Sequence, residues 1–178
     1  MPNSRGKLQA GESVLITGAA GGTGTAAIQL ANAAGARTIA VAGGEEKVAL
    51  ARDVGADLVI DHQATPDWVE LVREASGGGV DVAYDPVGGD TFHQVRRCMG
   101  WDGRLLVIGF VAGIPEVATN HVLLKSYSIV GVHWGASLGR RPESLGEQMT
   151  TLLELATTGA IDPPLYPPYA FDDAATAL

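Results

Sequence analysis

Residues 13–35 read SVLITGAAGGTGTAAIQLANAAG, an apolar run, a glycine-rich turn and a small-residue helix in direct succession. No other stretch constrains the fold as strongly. A short β-branched strand that delivers a glycine loop into a helix opens a βαβ unit, which requires a parallel partner strand. Glycines let the backbone approach a ligand closely, and the free N–H groups and positive dipole end of the helix face an anion there. Gly21, Gly22 and Gly24 are placed for that task. A tight strand-to-helix turn without a ligand uses the same spelling. A phosphate loop of the GxxxxGK[ST] kind is excluded, because no lysine follows these glycines.

The rest of the chain repeats the unit. Strand-like runs at 36–42, 56–61, 80–85 and 103–110 alternate with helical patterns at 45–55, 67–77 and 90–99, several of them stopped by glycine. A sixth strand is expected at 127–134 and a longer amphipathic helix at 142–158. This alternation predicts an α/β fold, a doubly wound six-stranded parallel sheet of the Rossmann kind in a single domain. Residues 161–171 are proline-rich and extended, and 172–178 begin a helix for which Asp172 and Asp173 are suited as caps. The expected division is therefore 1–12 as the remnant of an inter-domain segment, 13–160 as the dinucleotide-binding domain, and 161–178 as the start of a return segment. On this reading the chain is a piece of a longer one.

Charge and composition remove several classes of function. Twelve basic against twenty acidic side chains leave a net charge of −8, whereas a nucleic-acid face needs a basic stripe. A single cysteine, Cys98, precludes a disulfide framework and a CxxC metal clamp. The start of the chain has no apolar signal region, and no run of about eighteen apolar residues is present to span a bilayer. The expectation is a soluble, cytoplasmic protein without nucleic-acid or membrane partners.

The identity of the dinucleotide is sought at the end of the second strand, where NAD-binding Rossmann folds place an acid on the ribose hydroxyls. Here that strand ends in Ala42-Gly43-Gly44, without an acid. Lys47 follows in the first helical turn, where a cation opposes the dipole unless an anion is bound beside it. The pattern favours NADP, with Glu45 and Glu46 as the competing, purely local balance for Lys47.

Thr17–Gly24 fits both the TGxxxGxG spelling of short-chain dehydrogenases and the AxGGxG spelling of medium-chain ones. Short-chain enzymes carry a Tyr-x-x-x-Lys pair, and no tyrosine here has a lysine four residues on. The segments LQAGESVLITGAAGGTGTAAIQLANAAGA, GGEEKVALARDVGADLVID, GVDVAYDPVGG, GRLLVIGF and LLKSYSIVGVHWG resemble the medium-chain dehydrogenase/reductase superfamily, in its zinc-free quinone oxidoreductase, zeta-crystallin-like branch. The resemblance runs from about Leu8 to the FDDAATAL end. It implies the six-stranded cofactor domain, with Gly21, Gly22, Thr23 and Gly24 at the pyrophosphate, Lys47 at the 2′-phosphate beside Gly43 and Gly44, and Ile108, Gly109 and Phe110 near the nicotinamide. It places Val87 and Gly88 beside the cofactor too; the competing reading is a loop with Asp90 capping the next helix. Family members also carry an N-terminal substrate domain, so this chain would hold half of an active site.

The remaining chemistry-bearing residues are read as structural. Cys98 fits a packed small hydrophobe, and His62, His93, His121 and His133 share no ligand spacing, so no metal site is expected. Trp134 has a possible functional position after the sixth strand. No residue is assigned as catalytic. The resemblance implies the cofactor domain of an NADPH-dependent reductase that passes hydride to a small-molecule acceptor, a quinone or conjugated carbonyl. Two alternatives stand beside it: the enoyl-reductase module of a polyketide synthase, and a non-catalytic dinucleotide-binding module. Residues 127–134, apolar on both faces and last in a doubly wound order, are expected to form an unprotected edge strand, through which family members pair as homodimers.

Overall fold

The structure, a computed structural model, describes residues 5–165 and 168–177. Residues 1–4 of the expected leading segment, and Tyr166, Pro167 and Leu178 of the expected return segment, lie outside the described residues. Six strands form one sheet: β1 (Ser13–Ile16), β2 (Arg37–Ala42), β3 (Leu58–Asp61), β4 (Val80–Asp85), β5 (Met99–Val107) and β6 (Ser128–Gly131). Their order is β3-β2-β1-β4-β5-β6 and every pairing is parallel. The helices are α1 (Gly22–Ala33), α2 (Glu45–Asp53), α3 (Trp68–Ala75), α4 (Gly89–Cys98), α5 (Thr119–Lys125), α6 (Trp134–Arg140), α7 (Glu143–Thr157) and α8 (Ala174–Ala177).

All four residues of β1 are buried, as a central parallel strand covered on both faces must be. Alternate side chains feed two cores. Leu15, Ile39 and Leu105 pack with Trp68, Val69 and Val72 of α3 and with Phe92 and Val95 of α4. On the other face Ile16, Ala40 and Leu106 meet Ala27, Ile28 and Ala31 of α1, where small side chains bring helix and sheet close. The strand order reverses between β1 and β4, and the crevice above that point is where doubly wound folds bind ligands.

The expected strands and longer helices are present, with several changes of boundary. β5 begins at Met99, four residues before the expected start, and ends at Val107, so Ile108–Phe110 leave the sheet. Its early start goes with a register shift between Val80 and Val82 of β4 and with a left-handed Asp102 (φ 57°). β6 spans four residues rather than eight, and Trp134 opens α6 instead of ending a strand. α5 and α6 are only seven residues each and bury no side chain fully, too short a stretch to show an apolar period in the sequence. At the tail, a 3-10 turn over Phe171–Asp173 precedes α8, so Asp172 and Asp173 lie within the turn rather than capping a helix. Among the described residues no helix is long and apolar enough to cross a membrane.

Candidate functional site

The glycine loop sits at the reversal point. Gly18 adopts φ +57°, and Gly21, extended at φ −77° and ψ 164°, precedes α1 without any side-chain cap. The first intrahelical bond is Thr25 N–H to the Gly21 carbonyl at 2.9 Å, so the N–H groups of Gly22, Thr23 and Gly24 lie ahead of the helical ladder. No acid occupies the first turn of α1. The loop is fastened by Ala19 N–H to the Val41 carbonyl and Thr17 N–H to the Tyr84 carbonyl. The glycines divide the work. A Cβ on Gly24 would collide with the Gly18 carbonyl oxygen and lie 2.7 Å from Ala19 Cα, so Gly24 lets the helix seat on its own loop. A Cβ on Gly22 would meet nothing within 4 Å; that space is open.

Two clefts flank the start of α1. The first, about 380 Å³, is the more polar of the two and is lined by Gly21, Gly43, Lys47, His62, Gln63 and Val87 among others. Lys47 is exposed in the first turn of α2, beside Glu45 and Glu46. β2 ends without an acid, but β3 ends in one: the Asp61 carboxylate accepts Gly44 N–H at 3.1 Å and Gln63 N–H at 2.9 Å. Those donors, Gly44 first, hold its carboxyl below the ordinary range. Gly44 itself takes φ +87° to lead into α2, so its role is conformational. Across the cleft the Trp68 indole N–H donates to Gln94 Oε1 at 3.1 Å, joining α3 to α4.

The second cleft, about 1,090 Å³, is apolar. Thr23, Tyr84, Ile108, Gly109, Phe110 and Trp134 contribute to its lining, with Leu145 and Met149 of α7 opposite. Trp134 therefore faces this cleft, its indole N–H held by Gln148 Oε1 at 3.0 Å. Burial raises the Tyr84 phenol, against a smaller opposing effect of the Thr23 hydroxyl.

Between the clefts runs the turn 85–89. Its organiser is Asp85, fully buried, whose carboxylate accepts the Thr17 hydroxyl at 2.6 Å and the N–H groups of Val87 at 3.0 Å and Gly88. Gly88 has φ +72°, and a Cβ there would stand 2.8 Å from Phe110 Cα. No side chain caps α4, and the competing reading of Asp90 as its cap is not realised. Of the twelve sequence-predicted residues, Gly21, Gly43, Lys47 and Val87 thus line the polar cleft, and Thr23, Ile108, Gly109 and Phe110 the apolar one. Gly24, Gly44 and Gly88 shape the backbone around them, and Gly22 keeps the helix entrance open. Sequence reasoning did not single out Asp61, Gln63 or the Thr17–Asp85 bond, which depend on pairings between strands.

His62 lines the first cleft and His133 the second, whereas Cys98 stands apart from both. Cys98 is wholly buried against the sheet and its thiol is pushed up to about 12 by desolvation, which makes it inert. Among the described residues no group of three His, Cys, Asp or Glu side chains could hold a metal ion.

Comparison with known proteins bears on the family and the fold. The profile of the family described as zinc-binding dehydrogenase matches residues 22–156. Quinone oxidoreductase-like protein 2 of Mus musculus is 38% identical over 161 residues, covering 89% of this chain and 46% of its own. The crystal structure of Escherichia coli quinone oxidoreductase complexed with NADPH superposes with a TM-score of 0.81 at 30% identity, over 90% of this chain and 49% of that one. A mycocerosic acid synthase-like polyketide synthase of Mycobacterium tuberculosis is 30% identical over 177 residues, 97% of this chain but 8% of that protein. The chain spans about half the length of the curated quinone oxidoreductase-like relatives it matches.

Proposed function

The chain belongs to the medium-chain dehydrogenase/reductase family, in its zinc-free, quinone oxidoreductase-like part, and corresponds to the NADP-binding half; on that premise we propose that it is the cofactor domain of an NADPH-dependent reductase acting on a quinone or conjugated carbonyl. One observation carries the reading: an uncapped helix N-terminus stands beside a polar cleft whose far wall presents an exposed lysine. The residues present fit the cofactor. The N–H groups at the start of α1 receive a pyrophosphate, the open space at Gly22 admits it, and Lys47 meets a 2′-phosphate that relieves its conflict with the α2 dipole. Bound NADPH supplies the hydride; the protein orients it and excludes water. Thr23 and Ile108–Phe110 form one wall for the nicotinamide end, and the apolar lining beyond them suits a flat, weakly polar acceptor.

The polyketide-synthase reading is second. It rests on a match nearly as long as this chain at lower identity, and an acyl-thioester acceptor would use the same cofactor domain. Two copies paired through the β6 edge complete the proposal; the strand there covers Ser128–Gly131, shorter than the 127–134 segment expected to pair.

Fluorescence titration with NADPH and NADH tests the cofactor assignment. NADPH should bind more tightly, and Lys47→Ala should weaken it by on the order of 1–3 kcal/mol while leaving NADH nearly unchanged. Equal affinities in the unmodified chain would sink the assignment.

A further inference from the structure

The chain is acidic overall, with twelve basic against twenty acidic side chains, yet four of its cations gather on one face. Arg73 stands in the last turn of α3, Arg96 and Arg97 in that of α4, and Lys125 in that of α5. These helices lead into β4, β5 and β6, so their C-terminal turns lie at the end of the sheet opposite the two clefts. Each helix dipole favours a cation there, which accounts for the placing of each charge but pairs none of them. Lys125 spends part of its ammonium on such an end, donating to the Arg97 and Met99 carbonyls at 3.0 and 3.1 Å.

Glu70, one turn before Arg73, is the acid that reaches the group. Its Oε1 lies 3.9 Å from the Arg73 guanidinium and 3.8 Å from that of Arg97. One oxygen is thus shared by two arginines at ion-pair rather than hydrogen-bond distance. All three side chains are substantially exposed, and pairs of this kind contribute little. Asp102, on the β5 side of Lys125, is taken up by the Ser126 hydroxyl at 3.0 Å. The guanidinium donors are therefore not used up. Arg73 Nε and Arg96 Nε are shielded from solvent and have no hydrogen-bond partner among the described residues, a condition that a water or an ion relieves. The cations also act on one another and on their neighbours. After burial, Arg73 lowers the Lys125 ammonium, and Arg96 and Lys125 lower the His121 imidazole.

We propose that the C-terminal turns of α3, α4 and α5 form a second anion site, for a compact multivalent oxyanion of the oligophosphate class, with Glu70 as its stand-in. A carboxylate offers two oxygens in one plane. A phosphate group offers tetrahedral oxygens and more charge, which several guanidinium forks engage at once. Such an anion takes the place of Glu70 Oε1 and turns that carboxylate out to solvent, while Arg73, Arg97 and Lys125 supply the countercharge. The site is separate from the glycine loop and does not depend on which cofactor binds there.

The test follows the Arg73 and Arg97 side-chain Nε–H resonances, each assigned by its loss in a glutamine variant, during titration with inorganic pyrophosphate. Sodium chloride at matched ionic strength controls for screening. These side chains report locally, so pyrophosphate that settles on the glycine loop does not move them. Both resonances should shift saturably with pyrophosphate and stay in place with chloride. Arg97→Gln, read at Arg73, should weaken binding about ten-fold, the loss of one charge-assisted hydrogen bond. Glu70→Gln should strengthen it about two- to five-fold by removing the competing charge, a gain that a damaged fold does not produce. Shifts that chloride reproduces, shifts that do not saturate, or an Arg97→Gln chain that binds as well as the unmodified one would overturn the site. Binding that is unchanged or weaker in Glu70→Gln would overturn its location at the Glu70 carboxylate. An oligoglutamate peptide that holds the same arginines more tightly than pyrophosphate would overturn the ligand class in favour of an acidic protein segment.

Discussion

Above β1, β2 and β3 the strand ends finish in a small polar cleft whose walls are tied to each other: Asp61 holds Gly44, Val41 holds Ala19, and Asp85 holds Thr17 and the 85–89 turn. Beyond β4, β5 and β6 they open into a cleft nearly three times larger, lined by apolar side chains of which many face solvent. Phe110 is 56% and Trp134 54% exposed there, and Val111 is more open still. The same scaffold thus carries a finished pocket on one side and an apolar wall on the other. The difference teaches how the two tasks of such a domain separate. Backbone donors that receive an anion act best when fixed before it arrives, and here hydrogen bonds across the strand ends, the Thr17–Asp85 bond fully buried among them, do the fixing. Receiving an acceptor depends on a surface that something else closes.

The two phenylalanines nearest these clefts allow the sharpest comparison. Phe92 of α4 is 1% exposed in the core beneath the polar side. Phe92→Ala should cost about 3–5 kcal/mol, the range for a buried aromatic truncated to a cavity. Phe110→Ala, the same chemical change on the open side, should cost less than about 1 kcal/mol. Urea unfolding with a common slope would measure both. Equal losses would break the contrast, because they would mean that the apolar wall is already packed in this chain.

The open side does have one strong fastening, at the end of β5 away from the cleft. Arg104 donates to both carboxylate oxygens of Glu12 at 2.8 Å, and also to the Gly6 and Lys7 carbonyls. The guanidinium bond, more than the opposing desolvation, holds Glu12 below its ordinary value of 4.5. A depressed carboxyl contributes stability that is present above its unfolded-state value and is lost as pH falls through the lowered, folded-state one. Glu12→Gln should therefore cost on the order of 1–2 kcal/mol at pH 7, and the gap to wild type should shrink below pH 4.5 as the wild type loses the interaction. Unfolding midpoints at pH 7 and pH 3 give the comparison; a gap that widens in acid would show that the pair does not fasten this segment.

What the sequence discloses follows the same division. β1 is legible because Val14, Leu15 and Ile16, consecutive and buried on alternate faces of the sheet, are all apolar. The ends of α1 and α2 are legible because Gly35 and Gly55 take φ of +76° and +98°, which few other residues accept. The glycine turn at the head of α1 is legible from the order of strand, glycines and helix. What stays hidden depends on neighbours distant in sequence. A string of letters does not separate Gly24, which seats a helix on its loop, from Gly22, which leaves space. Nor does it bring His62 onto Gly43, because that contact exists only once β3 lies beside β2. On the open side the misreadings cluster for a physical reason: α5 and α6 span two turns each, too few to display a core-facing period, and SIVG and VHW alternate alike although only the first stays in the sheet.

The smallest expected effect on folding, and the most discriminating for assembly, concerns β6. It is the last strand and pairs only with β5, in the register Leu106↔Val130. Val132 N–H donates to the Val107 carbonyl, so by the two-residue period Val130 also points its N–H inward at β5. The donors of Ile129 and Gly131 then face outward, which makes Val130 the wrong position at which to test an edge contact. Proline there would remove a bond within the chain. Ile129→Pro removes an outward donor alone, and edge strands tolerate proline on that side. Ile129 is 37% exposed, so the monomer should lose less than about 1 kcal/mol. If two copies pair through this edge, sedimentation at micromolar concentration should show a dimer for the unmodified chain and a monomer for Ile129→Pro. A dimer that survives the substitution would place the contact elsewhere, and the apolar wall around Phe110 and Val111 would be the next surface to probe.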